Sequence, residues 1–167
     1  MGAMPTTTPG QRTAAQLVCC VLLGFIWRLR LSGIYYGWEE GDYGNLMMIR
    51  EVLDSGFTWF RSAHMPGWYS LAALARGLSD DARSSALAMT MFFSLFNIGI
   101  ATVLTRKLLG PGAAWLVGIW LALQPEMALY GASTLRSPVF TTVAFTGMAL
   151  LIWGKGRLGF GATAAAF

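Results

Sequence analysis

The sequence predicts an all-α fold: a polytopic transmembrane helical bundle with interfacial amphipathic helices in its first extracytoplasmic loop. Three observations carry this. The 167 residues are 55% hydrophobic and 12% charged, whereas soluble domains carry about 25% charged residues. Mean hydropathy is +0.53. Four apolar stretches, at about 14–31, 84–105, 113–131 and 138–154, come near the roughly 20 residues a bilayer core requires. The formal charge of +4 and twelve basic residues do not describe a nucleic-acid binder, because the basic residues are scattered and form no stripe.

Residues 1–12 are polar and rich in Thr and Pro, and are expected to form a disordered cytoplasmic tail. The first span, 14–31, is interrupted by Gln16, Arg28 and Arg30. Its arginines are expected to snorkel to the interface as headgroup anchors. A cleaved signal peptide is the alternative, but no small-x-small site follows promptly. Cys19 and Cys20 are adjacent and have no third cysteine to pair with, so both are expected to be buried apolar side chains.

Residues 32–81 are the polar stretch. Leu46, Met47, Ile49, Val52 and Leu53 recur at helical spacing with Asn45, Arg50, Glu51 and Asp54 between them. This predicts an amphipathic helix over 43–54, closed by Ser55-Gly56 and suited to lie in the interface. A second short helix is predicted over 66–78, opened by Pro66. Asp80-Asp81 would cap a long helix over 82–109. Gly110-Pro111-Gly112 reads as a turn. Further spans follow over 113–129, with Pro125 near its end, and 138–153. Residues 158–167 read as the start of a fifth span, cut off after about ten residues, too few to cross a bilayer. The chain is therefore expected to be the N-terminal part of a longer protein, with 13–157 as its membrane module.

The charges agree with this layout. With the N-terminus inside, the turns at 106–112 and 154–158 are cytoplasmic, each with two basic residues and no acid. The 32–81 loop lies outside with seven acids: Glu39, Glu40, Asp42, Glu51, Asp54, Asp80 and Asp81. That is the positive-inside pattern. The protein is expected in the inner or plasma membrane with its active face extracytoplasmic. Glu39-Glu40-Gly41-Asp42-Tyr43 concentrates carboxylates where the first span leaves the bilayer. Such a cluster handles a cation, a metal or a proton, or else solvates a turn.

Motif order narrows the choice. The chain shows Arg28-Leu29, then Glu39-Glu40-Gly41-Asp42-Tyr43, then Leu53-Asp54-Ser55-Gly56. His64-Met65-Pro66-Gly67-Trp68-Tyr69 follows, with Arg83 opening the second span. Arg106-Lys107-Leu108-Leu109-Gly110 ends that span, and Pro125, Tyr130 and Leu135-Arg136-Ser137 lie beyond. In order and spacing, from about residue 28 to 153, this resembles the N-terminal portion of GT-C superfamily membrane glycosyltransferases. The nearest branch is that of the protein-mannosyltransferases and aminoarabinose transferases. Departures are Glu39 in place of Asp, Met65 and Gly67 in place of Pro and Leu, and Pro138 in place of an acidic residue.

The resemblance implies inverting transfer of a sugar from a polyprenyl-phosphate donor to an extracytoplasmic protein, lipid or glycan. Such a reaction needs a carboxylate to take the proton of the attacking group and cations to stabilise the phosphate that leaves. On this reading Glu39 and Glu40 are catalytic. Asp42, Tyr43, His64, Arg83 and Arg136 bind substrate, the three basic residues at the phosphate, and Asp42 or Glu126 assists as a second acid or a metal ligand. A single histidine excludes a His/Cys zinc cluster, and a carboxylate-held Mg or Mn is the one cofactor left open. The implied partners are the sugar donor, membrane lipids and the remaining C-terminal part of the same protein, with no nucleic acid. The rival readings are a small four-span accessory or assembly protein without catalysis, and a transporter fragment. The near absence of charge in the middle of the spans argues against the transporter.

Overall fold

The computed structural model describes residues 8–34, 39–55, 71, 73–74, 82–131 and 137–153, with side chains for all of these except 33–34, 39–45, 82 and 137. Among the described residues there are six helices and no strand: α1 (Pro9–Ile34), α2 (Glu39–Asp54), α3 (Ala82–Leu109), α4 (Pro111–Leu123), α5 (Pro125–Gly131) and α6 (Ser137–Ile152).

α1 starts within the tract that composition assigns to a disordered tail. The reason is local. Thr8 Oγ1 accepts from the Gln11 backbone N–H at 3.4 Å, and Gln11 Oε1 accepts from the Thr8 N–H at 2.8 Å. This is a reciprocal capping box with Pro9 at the first helical position. α2 likewise starts four residues ahead of the predicted helix. Glu39, Glu40 and Asp42 are thus the opening turn of a helix rather than a loop before it. Negative charge at that end is favoured by the helix dipole. α3 has the predicted bounds. The helix predicted over 66–78 lies outside the described residues except for Leu71, Ala73 and Leu74, which are helical. Asp80, Asp81 and the 158–167 segment also lie outside them.

The predicted third span is not one straight helix. α4 ends at Leu123, and α5 leaves it at 60°. Pro125 has no N–H to continue the ladder, and its ring crowds the preceding turn. α6, at 16 residues, rises about 24 Å, short of a typical hydrocarbon core. Two helices, α1 and α3, are long and apolar enough to cross a membrane, and α4 with α5 counts as a third if the bent pair is one span.

α3 is the central helix and packs on α1, α4, α5 and α6, while α1 packs on α4. Residue pairs fix the directions. Gln16 meets Pro111, and Arg28 meets Ala122, so α1 and α4 are parallel. Gln16 also meets Arg106, and Arg28 meets Ser94, so α3 runs against them. Gly110, at φ 91°, makes the turn between α3 and α4; that backbone conformation favours glycine.

The packing is the reverse of a water-soluble core. Leu22, Ile26, Phe92, Leu116 and Trp120 are each more than half exposed, whereas Gln16, Arg28, Ser85, Thr90 and Thr102 are buried. Small residues line the helix contacts, as they do where helices associate in lipid. Apolar surface on this scale is a liability in water and is solvated by acyl chains in a bilayer. The protein is a helical membrane protein.

Candidate functional site

Gln16, Cys20, Gly24 and Arg28 are four apart along α1 and are all buried. Ala114, Gly118 and Ala122 form the matching buried stripe on α4. The two stripes form one seam in which nothing larger fits. A Cβ on Gly118 would stand 2.6 Å from Cys20 Sγ and 2.8 Å from Thr102 Oγ1. A Cβ on Gly24 would stand 2.5 Å from Ile98 Cδ1 and 3.1 Å from Arg28 Nη1. Cys20 is buried as expected, but Cys19 is exposed, one helical step off the seam.

Arg28 ends this seam and overturns the expectation of a snorkelling anchor. It is 1% exposed. Nε donates to Ser94 Oγ at 2.8 Å. Nη1 donates to the carbonyls of Gly24 and Ala122, both at 3.2 Å. Nη2 donates to the carbonyls of Met127 at 3.3 Å and Leu121 at 3.5 Å. All five guanidinium donors are therefore engaged. The break between α4 and α5 makes this geometry available. Pro125 cannot serve the Leu121 carbonyl, and the end of α4 orphans the Ala122 carbonyl. Both carbonyls lie at the negative end of the α4 dipole, where a cation is stabilised. Gly131 permits the approach from α5, since a Cβ there would stand 2.6 Å from Arg28 Nε.

A second polar cluster stands beside the first. Asn97 Nδ2 donates to the Pro138 carbonyl at 2.8 Å, clamping α3 to the start of α6. Thr142 Oγ1 lies 2.7 Å from Asn97 Oδ1 and 2.8 Å from the Pro138 carbonyl, and its one proton serves one of them. Between the two clusters lies a cavity of about 130 Å³, lined by Arg28, Ser94, Asn97, Tyr130, Thr141 and Phe145 among others. It has room for several water-sized groups.

α2 docks at this same end. Ile49 and Val52 are buried against Ala86 of α3 and Val139 of α6, with Ala73 in the same cluster. By helix rise, Glu39 lies about 15 Å along the α2 axis from Ile49. Glu39, Glu40, Asp42 and Tyr43 occupy the first turns of α2, and their side chains lie outside the description. Arg83 is in the first turn of α3 and half-buried. His64 and Arg136 lie outside the described residues. Glu126 opens α5 and is exposed. The α2 docking thus gathers the starts of α3 and α6 beside α2. No group of three or more His, Cys, Asp or Glu among the described residues could hold a metal ion.

The opposite end is built differently. Buried Gln16 donates to the Pro111 carbonyl at 3.1 Å and accepts from Arg106 Nη1 at 2.5 Å. Lys107 is exposed, with its Nζ 5.0 Å from the Trp153 ring centroid.

Sequence reasoning set Arg28 aside as a headgroup anchor. The signal that identifies it is the four-residue spacing from Gln16 through Cys20 and Gly24, a stripe of small and polar residues in an otherwise bulky apolar helix. No protein-family model, curated protein or solved structure matches this chain.

Proposed function

We propose that the chain is the membrane module of a GT-C-type glycosyltransferase, polytopic, with α2 lying in the outer interface. It transfers a sugar from a polyprenyl-phosphate donor to an extracytoplasmic acceptor. The observation that carries the reading is the order of motifs from Arg28 to Arg136, in which an acidic turn heads an amphipathic helix. The docking of that helix on α3 and α6 supports it, because Arg83 stands in the first turn of α3, three residues before Ala86 of that contact. Glu39 or Glu40 acts as the base that takes the acceptor proton. His64, Arg83 and Arg136 neutralise the phosphate as the glycosidic bond breaks. Arg28 is not in this set, since its donors are already committed to four carbonyls and the Ser94 hydroxyl. It holds the end of the bundle on which the set is mounted.

The test is sugar transfer from radiolabelled polyprenyl-phosphate sugars in membrane vesicles, with the protein and its variants at matched expression. Glu39→Gln or Glu40→Gln is expected to lower transfer by about 100-fold or more, the usual worth of a general base. Retained transfer in both variants removes the assignment.

A further inference from the structure

The end of the bundle away from the acidic turn carries a groove that the glycosyltransferase reading does not use. It lies between α1, α3 and α6, has a volume of about 690 Å³, and is lined by Leu17, Val21, Phe96, Gly99, Ile100 and Leu150 among others. Its lining residues on α3 run from Phe92 to Val103, about 17 Å of helix. Phe92 and Phe96 stack at 6.1 Å with their planes 9° apart and form a flat wall. A Cβ on Gly99 would find its nearest neighbour, Leu17 Cδ1, at 3.6 Å, so glycine leaves the floor deep by lacking a side chain rather than by necessity.

The groove ends in charge. Trp153 lines it and also carries Lys107 over its ring. Lys107 is one helical turn beyond Val103, on the same face. Between Asp81 and Glu126 the sequence has no acid, so this end is positive with no carboxylate in the neighbouring turn.

We propose that the groove holds one acyl chain of an anionic diacyl phospholipid, with its phosphate against Lys107 beside Trp153. Membrane helices associate through small residues and interhelical hydrogen bonds, and large side chains such as Phe92, Phe96 and Ile100 suit a flexible hydrocarbon chain better. The basic end selects an anionic headgroup. The polyprenyl donor is a poorer occupant, because its phosphate would have to react at the opposite end of the bundle. The site rests on the membrane reading and stands whether or not the chain transfers sugar.

The test is native mass spectrometry of the full chain released from nanodiscs of equal phosphatidylglycerol and phosphatidylcholine. One retained phosphatidylglycerol, in preference to phosphatidylcholine, is expected. Lys107→Gln, an exposed change that removes the charge beside Trp153, is expected to lower that preference about fivefold, the worth of one basic residue at an anionic lipid surface. Gly99→Phe fills the floor and is expected to abolish retention of both lipids, with Gly99→Leu as the milder version should phenylalanine impair folding. Leu116→Phe, on an exposed face of α4, is expected to change nothing. Equal retention of the two lipids, an unaltered preference in Lys107→Gln, retained polyprenyl phosphate, or a dimer sealing the groove would each overturn the proposal.

Discussion

The two ends of the bundle handle positive charge in opposite ways. At one end Arg28 is 1% exposed and donates to four carbonyls and a hydroxyl. At the other, an uncharged glutamine is buried, and the cations Arg106 and Lys107 stay at the rim of the helix end, where Arg106 reaches in to Gln16. A helix that simply ends, as α3 does at Gly110, can present its last-turn cations to the surface. A helix broken by a proline leaves carbonyls inside the bundle that its own backbone cannot serve. The cation must then come inside. The difference lies in where backbone acceptors are freed, not in which basic residue is used.

The largest effect that follows is at Arg28. Arg28→Met leaves several interior acceptors unserved and is expected to cost about 3–5 kcal/mol, as more than one buried acceptor loses its partner at about 1–3 kcal/mol each. Arg28→Lys should rescue little, since an ammonium has three donors and no planar fork. The same change at the other end, Arg106→Met, takes one donor from Gln16 and should cost about 1.5–3 kcal/mol, the worth of a hydrogen bond to a charged group. Reversible unfolding in mixed micelles measures the three variants. Equal losses for Arg28→Met and Arg106→Met would erase the distinction between the ends.

Glycine substitutions sharpen it further. Gly131→Ala drives a methyl group against Arg28 and Ser94, and Gly118→Ala drives one against Cys20 and Thr102. Each is expected to cost about 1–3 kcal/mol by overpacking. Gly99→Ala and Gly112→Ala meet no close neighbour and should be neutral or stabilising by up to about 1 kcal/mol through helix propensity. A modest loss is expected from Thr142→Val. It removes a hydroxyl from the Asn97 clamp, for about 1 kcal/mol, and should leave the Arg28 network unchanged as judged by additivity with Gly131→Ala.

Much of the helical layout was legible in the sequence. The bounds of α3 follow from its apolar run closed by Arg106, Lys107 and Gly110, and the second half of α2 follows from the spacing of Leu46, Ile49, Val52 and Leu53. Helix starts were read late. The Thr8–Gln11 capping box was hidden inside a tract whose composition reads as a tail, and Glu39 to Asp42 read as loop because acids are rare in apolar surroundings. Pro125 was visible, but its consequence was not. Whether a proline ends, kinks or bends a span depends on what serves the carbonyls it frees, and here that residue is Arg28, about a hundred positions earlier in the chain. Arginine near the end of a span is locally indistinguishable from an anchor. Only its register with Gln16, Cys20 and Gly24 assigns it to the packed face. The acidic turn was legible as a candidate site from its charge density and motif order, and its chemistry remains the proposal made above.

The central structural claim is that a buried cation holds the bend between α4 and α5. Pulsed electron spin resonance between labels at Trp115 and Met127, both partly exposed, reads the bend between α4 and α5 directly. The labels would be placed in a Cys19→Ser, Cys20→Ala background in nanodiscs. The account predicts one narrow distance distribution with Arg28 present, and a broadened, longer distribution in Arg28→Met as α5 swings free toward a straighter course. An unchanged narrow distribution in Arg28→Met would contradict it and leave Pro125 alone as the cause of the bend.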